Sequence, residues 1–259
     1  MPLNFFPYLG GKHFLVKQLL RLIPEHEIYV EVFGGSASLL LNKPKSPIEV
    51  YNDLNGELVN LFAVVRDRPL EFISRLEPLL YSRELYEKWR KEFAPGEMAR
   101  FEPGADPVER AVKFYFCLRA NFAGRVWGGW AFARTRGFRL PDPAGIWAIH
   151  ERLKRVYIDH LDYKNCIKNW DSPHTFFYLD PPYLGLTSNV FGWREKEHEE
   201  LAGTLGGVKG KWLLTCNDHP LIRKLYARYS ILEAKGPLLA KKVEGKPHPP
   251  LRHLIIKNY

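Results

Sequence analysis

The sequence predicts an α/β fold built on a mainly parallel sheet, and three observations carry that prediction. Apolar, β-branched runs alternate with stretches whose apolar residues recur at helical spacing. The first two runs each end in a turn rich in Gly, Asn or Asp, and the last two follow one another with no helix between them. A chain of 259 residues that is 46% hydrophobic can bury a core unaided, as one large domain or one domain carrying an insertion.

In chain order, Glu27 to Phe33 reads as a buried strand that breaks at Gly34-Gly35, and a helix is expected over Ser36 to Leu41. A second strand, Ile48 to Tyr51, ends at Asn52-Asp53, and Leu58, Leu61, Phe62 and Val65 place a helix over Leu54 to Arg66. Strands are expected again at Val156 to Leu161, Thr175 to Leu179 and Lys211 to Cys216, with helices at Tyr163 to Trp170, Glu195 to Leu205 and His219 to Arg228. Ser230 to Ala234 and Arg252 to Lys257, joined by a Gly/Pro/Lys-rich loop, predict an antiparallel finish to the sheet. In such a fold, ligands bind beyond the carboxyl ends of the strands.

Between Pro69 and Gly145 the sequence changes character. Helical segments at Arg83 to Phe93 and Val108 to Leu118 lead into RANFAGRVWGGWAFARTRGFR, where arginines, glycines and aromatics interleave. Basic side chains that reach phosphates and base edges, beside rings that stack on bases, suit nucleic-acid contact. A glycine-rich loop whose tryptophans simply pack has the same composition. The formal charge of +9 agrees with a polyanionic partner, and equally with a merely basic protein.

No apolar run reaches the roughly 20 residues of a membrane-spanning helix, and MPLNFFPYLGGK lacks the basic start and apolar stretch of a signal peptide. A cytoplasmic protein with no membrane partner is expected. Cys117, Cys166 and Cys216 are too scattered for a disulfide framework or a cysteine zinc site. His198-Glu199-Glu200 has no second histidine one helical turn away and reads as a solvated helix face. His219, His248 and His253 read as structural or surface residues, and no metal is expected.

Two motifs carry chemistry. Phe33-Gly34-Gly35-Ser36 lies at a strand-to-helix turn, with Asp53 at the end of the next strand. Glycine lets backbone approach a ligand, and an acid at that strand end can accept both ribose hydroxyls, so a nucleoside-type cofactor is implied. The spacing is not G-x-G-x-x-G, and Gly-Gly turns occur in many α/β folds. More specific is Asp180-Pro181-Pro182-Tyr183, directly after an apolar strand. Two prolines cannot continue a ladder, so they fix a rigid turn and aim the Pro181 carbonyl. An aromatic exocyclic amine is a poor nucleophile because its lone pair is delocalised. If the Asp180 carboxylate and the Pro181 carbonyl each accept one amine hydrogen, the nitrogen can pyramidalise toward an electrophilic methyl without metal or strong base. Tyr183 would stack on the extracted base. A strand-end turn with a capping Asp is the bland alternative. Asn217-Asp218, after a later strand, borders this region, though capping of the helix from His219 explains it equally well.

FPYLGGK, EVFGGSASLLLNKP, EVYNDLNGELVNLF, FFYLDPPYLG, KWLLTCNDHPLIRKLY and LIIKNY, in this order, resemble the Dam-like (D12, α-group) DNA adenine N6-methyltransferases over nearly the whole chain except parts of 69–145. The resemblance implies a seven-stranded, Rossmann-like S-adenosylmethionine-dependent methyltransferase sheet with a mainly helical target-recognition insertion. It divides the chain into a catalytic domain, 1–68 and 146–259, and a target-recognition, DNA-binding insertion, 69–145. It implies transfer of methyl from S-adenosylmethionine to N6 of an adenine flipped out of double-stranded DNA. By the same resemblance, Tyr8 and Lys12 close over the cofactor, Lys12 near its carboxylate, and Phe33, Gly34, Gly35 and Ser36 lie beneath the methionine moiety. Asp53 holds the ribose, Asp162 and Tyr163 flank the adenine, and Asp180 to Tyr183 are catalytic, Asp180 also bordering the cofactor. Arg119 and Asn121, in a loose match to R-x-N-F-x-G, are candidates for DNA contact with Arg125, Arg134 and Arg136. A cognate restriction endonuclease acting on the same site, without being bound, would be a companion activity. Val32 stands where many members have proline, which is expected to loosen the strand end. The N4 amine of cytosine and adenine in RNA are alternative acceptors, and a glutamine amide is disfavoured by Asp at 180. A DNA-binding module without catalysis and a nicotinamide oxidoreductase are the rival classes.

Overall fold

The computed structural model describes residues 3–93, 105–121, 128–131, 143–185, 193–236, 242–243, 246–247 and 252–259. Its strands are β1 (Ile28–Glu31), β2 (Ile48–Asn52), β3 (Val156–Asp159), β4 (Thr175–Leu179), β5 (Lys211–Asn217), β6 (Ser230–Lys235), the two-residue β7 (Lys242–Val243) and β8 (Lys246–Pro247), and β9 (Arg252–Lys257). Seven of them form one sheet in the order β3-β2-β1-β4-β5-β9-β6, while β7 pairs with β8. The first five neighbours run parallel, and β9 lies antiparallel between β5 and β6. All seven expected strands, and the antiparallel finish, are therefore present. The connection order reverses between β1 and β4, which opens the crevice where ligands of such sheets bind.

Both faces of the sheet are covered, which is why β4 reads as an unbroken apolar run. Tyr29, Tyr51, Phe176 and Tyr178 point to one face, and Val30, Val50, Phe177 and Leu179 to the other, as the pleat dictates. On the first face lie α1 (Val16–Leu20), α2 (Gly56–Asp67), α3 (Pro69–Leu76), α4 (Arg83–Trp89) with a 3₁₀ turn (Arg90–Phe93), α5 (Pro107–Ala120) and α6 (Pro143–Leu153). The second face carries α7 (Tyr163–Trp170), α8 (Glu195–Leu205) and α9 (Pro220–Leu225). Phe72, Tyr86, Phe93 and Tyr115 share one core with Tyr29 and Tyr51, and the described helices between 69 and 120 join that core by packing on α2 and on one another.

The helix expected over Ser36 to Leu41 is instead a series of turns. Gly35 and Ala37 adopt φ of 50° and 53°, a left-handed geometry that interrupts a right-handed helix. The Leu40 amide donates to the Glu31 carboxylate at 2.9 Å, a bond from strand end to turn that no helical period reveals. Arg152 of α6 completes the anchorage, donating to the Leu40 carbonyl at 2.6 Å and forming a fork on Glu49 of β2 at 2.5 and 2.8 Å. Helices α1, α3 and α6 were not expected from the pattern, and α9 stops three residues early because Tyr226 leaves helical geometry. Val32 does not loosen its strand end: its amide donates to the Tyr178 carbonyl at 3.0 Å, a bond proline cannot make.

Candidate active site

The carboxyl ends of β1, β2 and β4 bring the two motifs together. After β1 the backbone turns through Phe33 to Ser36 over the end of β2, and the Gly34 amide donates to the Asn52 carbonyl at 2.7 Å. A Cβ on Gly34 would lie 2.2 Å from the Tyr51 ring, so the glycine is required by packing beneath the loop. The Tyr51 hydroxyl donates to the Gly35 carbonyl at 2.9 Å. Asp53 accepts from the Gly35 amide at 2.7 Å and from the Asn55 amide at 2.8 Å. Burial pushes the Asp53 carboxyl up from its ordinary value against those bonds. Each carboxylate oxygen has two lone pairs, so acceptor capacity remains after both are used.

The segment from Tyr8 to Lys12 lies across this loop. A Cβ on Gly11 would stand 3.2 Å from the Ser36 hydroxyl, and one on Gly35 3.4 Å from the Tyr8 ring. Burial, then the nearby Asp53, pushes the Tyr8 phenol up, so it stays protonated. Lys12 is 5% exposed, donates to the Gly10 carbonyl at 2.7 Å and pairs with Asp180 at 2.5 Å. Its ammonium also sits 4.5 Å from the centroid of the Tyr183 ring, a cation over an aromatic face.

The Asp180 to Leu184 elbow leaves β4 and is held from several sides. Thr215 of β5 donates to Asp180 at 2.7 Å on the oxygen that Lys12 does not use. Burial raises the Asp180 carboxyl above its ordinary value, with Lys12 and Thr215 pulling the other way. Asn217, two residues along β5, accepts from the Leu184 amide at 3.1 Å and donates to the Leu184 carbonyl at 3.0 Å. Tyr183 is 9% exposed, and its hydroxyl meets His253 Nδ1 at 2.8 Å.

On the other flank, Phe33 stacks against Tyr163 at 5.8 Å, and Trp193 stands 5.4 Å from Phe33 and 5.5 Å from Tyr163. The Tyr163 hydroxyl is buried with no hydrogen-bond partner among the described residues. Asp162 caps α7, accepting from the Lys164 amide at 2.9 Å and the Asn165 amide at 3.1 Å. Thus Tyr8, Lys12, Phe33 to Ser36, Asp53, Tyr163 and Asp180 to Tyr183 gather at one crevice, and Asp162 sits at its margin as a helix cap.

Residues expected to touch nucleic acid fare differently. Arg119 is half-buried in the last turn of α5. Asn121 is 4% exposed and folds back on α5, donating to the Cys117 carbonyl at 2.7 Å and the Leu118 carbonyl at 3.2 Å. Arg125, Arg134 and Arg136 lie outside the described residues. Where the loop begins and returns, Asn121 bridges Trp130, and Trp130 stacks on Tyr81 at 4.2 Å, so at least this tryptophan packs.

One expectation needs correction, and two open readings are resolved. His198 is not on a solvated face: it is fully buried on α8, 5.2 Å from the Trp193 ring. Asn217 does not cap α9; His219 does, and Asn217 clamps the elbow. His253, expected in a structural or surface role, is buried and bonds the Tyr183 hydroxyl. Trp193, Thr215 and Glu31 were not singled out, and a lone polar residue in an apolar strand was the only available signal for the last two. Among the described residues no group of three His, Cys, Asp or Glu could hold a metal ion, and no helix is long and apolar enough to cross a membrane.

Comparison with known proteins gives a consistent result. A family model described as D12 class N6 adenine-specific DNA methyltransferase matches residues 8–236. The DNA adenine methylase of Escherichia coli K12 is 26% identical over 244 residues, covering 86% of this chain and 84% of that protein. A type II methyltransferase of Lactococcus lactis subsp. cremoris is 26% identical over 280 residues, covering 98% and 95%. The DNA adenine methylase of Vibrio cholerae El Tor is 28% identical over 201 residues, covering 72% and 67%.

Proposed function

The chain belongs to the D12 class N6 adenine-specific DNA methyltransferases, and on that premise we propose that the crevice between β1 and β4 is where its reaction takes place. It is a site-specific DNA adenine methyltransferase with S-adenosylmethionine as methyl donor. The residues present fit that donor. Lys12 offers a cation for an α-carboxylate, Asp53 a carboxylate for a ribose diol, and Phe33, Tyr163 and Trp193 an aromatic enclosure for a purine. The unpartnered Tyr163 hydroxyl adds a polar atom that lacks a bond within the described protein. When bound, the cofactor supplies a methyl group activated by its sulfonium.

The chain's own contribution is positioning. Asp180 and the Pro181 carbonyl accept the two N6 hydrogens, which frees the nitrogen lone pair. Thr215 keeps one Asp180 oxygen oriented. Tyr183 supports the flipped adenine through its ring. Lys12 covers that ring face, so the ammonium has to leave it before a base can lie there, and a methionine carboxylate is a suitable new partner. The observation that carries this reading is the convergence of Lys12, Asp180 and Tyr183 within 4.5 Å of one ammonium nitrogen, beside the Gly34–Asp53 loop.

Residues 1–68 and 146–259 carry catalysis, and 69–145 contributes target recognition through Arg119, Arg125, Arg134 and Arg136, with Asn121 setting the start of the loop. The chain works in the cytoplasm on double-stranded DNA, and a type II relative makes a companion endonuclease a reasonable partner activity. The test is incubation with radiolabelled S-adenosylmethionine and plasmid DNA, followed by digestion to nucleosides. Label is expected in N6-methyl-2'-deoxyadenosine with the wild type and in no nucleoside with Asp180→Ala. Wild-type turnover by that variant would remove the elbow from the chemistry.

A further inference from the structure

We propose that His253 is a positioning residue for methyl transfer, fixing the ring of Tyr183 through the bond between the phenol hydroxyl and imidazole Nδ1. This rests on the reading of the elbow given above and deepens it. His253 lies on β9 and pairs in register with Asn217 on β5. Directly opposed residues of an antiparallel pair project to the same side of a sheet. One rung therefore sends two side chains to consecutive residues of the elbow: Asn217 to the backbone of Leu184, and His253 to the hydroxyl of Tyr183.

The packing leaves the imidazole little freedom. His253 is 4% exposed, its ring stands 5.5 Å from that of Tyr183 in an edge arrangement, and Phe14 leans on it at 5.1 Å. The charged groups that face this pair are Lys12, over the Tyr183 ring at 4.5 Å, and Asp180, whose charge acts on the phenol. Burial, then Lys12, pulls the His253 imidazole down to about 4, and burial pushes the Tyr183 phenol well up. With both groups neutral, a phenol that donates to Nδ1 leaves the imidazole proton on Nε2. A ring that must present a flat face to a base is held against rotation and tilt by this bond. The same bond gives the buried hydroxyl a partner on β9, beside the Thr215 side chain on β5.

The experiment measures single-turnover methyl transfer and cofactor affinity for His253→Leu, His253→Asn, Tyr183→Phe and the His253→Leu/Tyr183→Phe double variant, on duplex DNA. His253→Leu and Tyr183→Phe are each expected to slow transfer about ten-fold with cofactor affinity unchanged, and the double variant to be no slower than either, as for two halves of one interaction. Asparagine, whose side-chain oxygen can take the place of Nδ1, is expected to restore most of the rate. Losses that multiply in the double variant, wild-type transfer by Tyr183→Phe, or an asparagine variant as slow as leucine would each overturn the proposal. Should His253→Leu fail to fold, Tyr183→Phe and His253→Asn still decide the question. Asp180→Ala run alongside separates the two readings: its activity would end the assignment of the elbow, while its inactivity beside multiplying losses would end only the role of His253.

Discussion

The two loops that meet at the crevice are held by opposite means. The glycine loop after β1 is restrained by residues close to it along the chain: Tyr51 beneath Gly34, the Asn52 carbonyl on the Gly34 amide, and Asp53 on the Gly35 amide. The elbow after β4 is restrained by residues far from it: Lys12 from the start of the chain, Thr215 and Asn217 from β5, and His253 from β9. A binding loop of this kind needs only a fixed shape. Transfer to a poor nucleophile requires donors and acceptors fixed to a fraction of an ångström, and several independent strands achieve that better than one turn can.

If this contrast is right, damage to each loop shows in a different constant. The largest effect is expected from Asn217→Ala. It strips both partners from the buried Leu184 backbone, at a cost on the order of 2–4 kcal/mol for two unsatisfied groups. The transfer rate at saturating cofactor should fall steeply while cofactor affinity holds. Equal losses in both would mean that the elbow and the loop form one unit. Gly34→Ala comes next. Its methyl meets the Tyr51 ring, and overpacking of this kind costs about 2 kcal/mol. Here the loss should appear in cofactor affinity and melting temperature, with near-normal transfer once cofactor saturates; an unchanged affinity would show that the loop does not carry the cofactor.

The same contrast explains what the sequence reveals. The β-α-β alternation, the strand ends and the glycine loop depend on residues near one another in sequence, so periodicity and spacing find them. Three of the four remote restraints on the elbow are harder to read: Thr215 looks like an ordinary strand residue, Asn217 as much like a helix cap as a site residue, and His253 like one more scattered histidine. Only the strand order, with β9 inserted beside β5, sets them against Asp180 to Leu184. The Ser36 to Leu41 segment misleads for a related reason. Its leucines have helical spacing, but Ala37 at positive φ and the Glu31–Leu40 bond override local propensity. Asn121 is the reverse case, a residue placed by resemblance at the nucleic acid whose side chain the structure commits to capping α5.

Glu31 is where the two regions touch, and it offers the smallest but most diagnostic effect. Its carboxylate oxygen accepts from the Tyr29 hydroxyl at 2.8 Å and from the Leu40 amide at 2.9 Å, and Asp180 lies near enough to oppose a second negative charge. Burial above all, with Asp180 adding to it, pushes the Glu31 carboxyl from 4.5 up to about 8. The folded protein then holds a proton that the unfolded chain releases between those values. This contribution to stability is complete below pH 4.5 and is lost as pH rises toward 8. Glutamine cannot ionise, so the melting temperature of Glu31→Gln relative to the wild type should climb between pH 6 and pH 8.5, by a few degrees for roughly 1 kcal/mol in a domain of this size. A difference that stays flat across that range would mean that Glu31 is ionised in the fold. Two carboxylates would then share the junction between loop and elbow, with Lys12 paired to Asp180 and Lys43 the cation acting on Glu31.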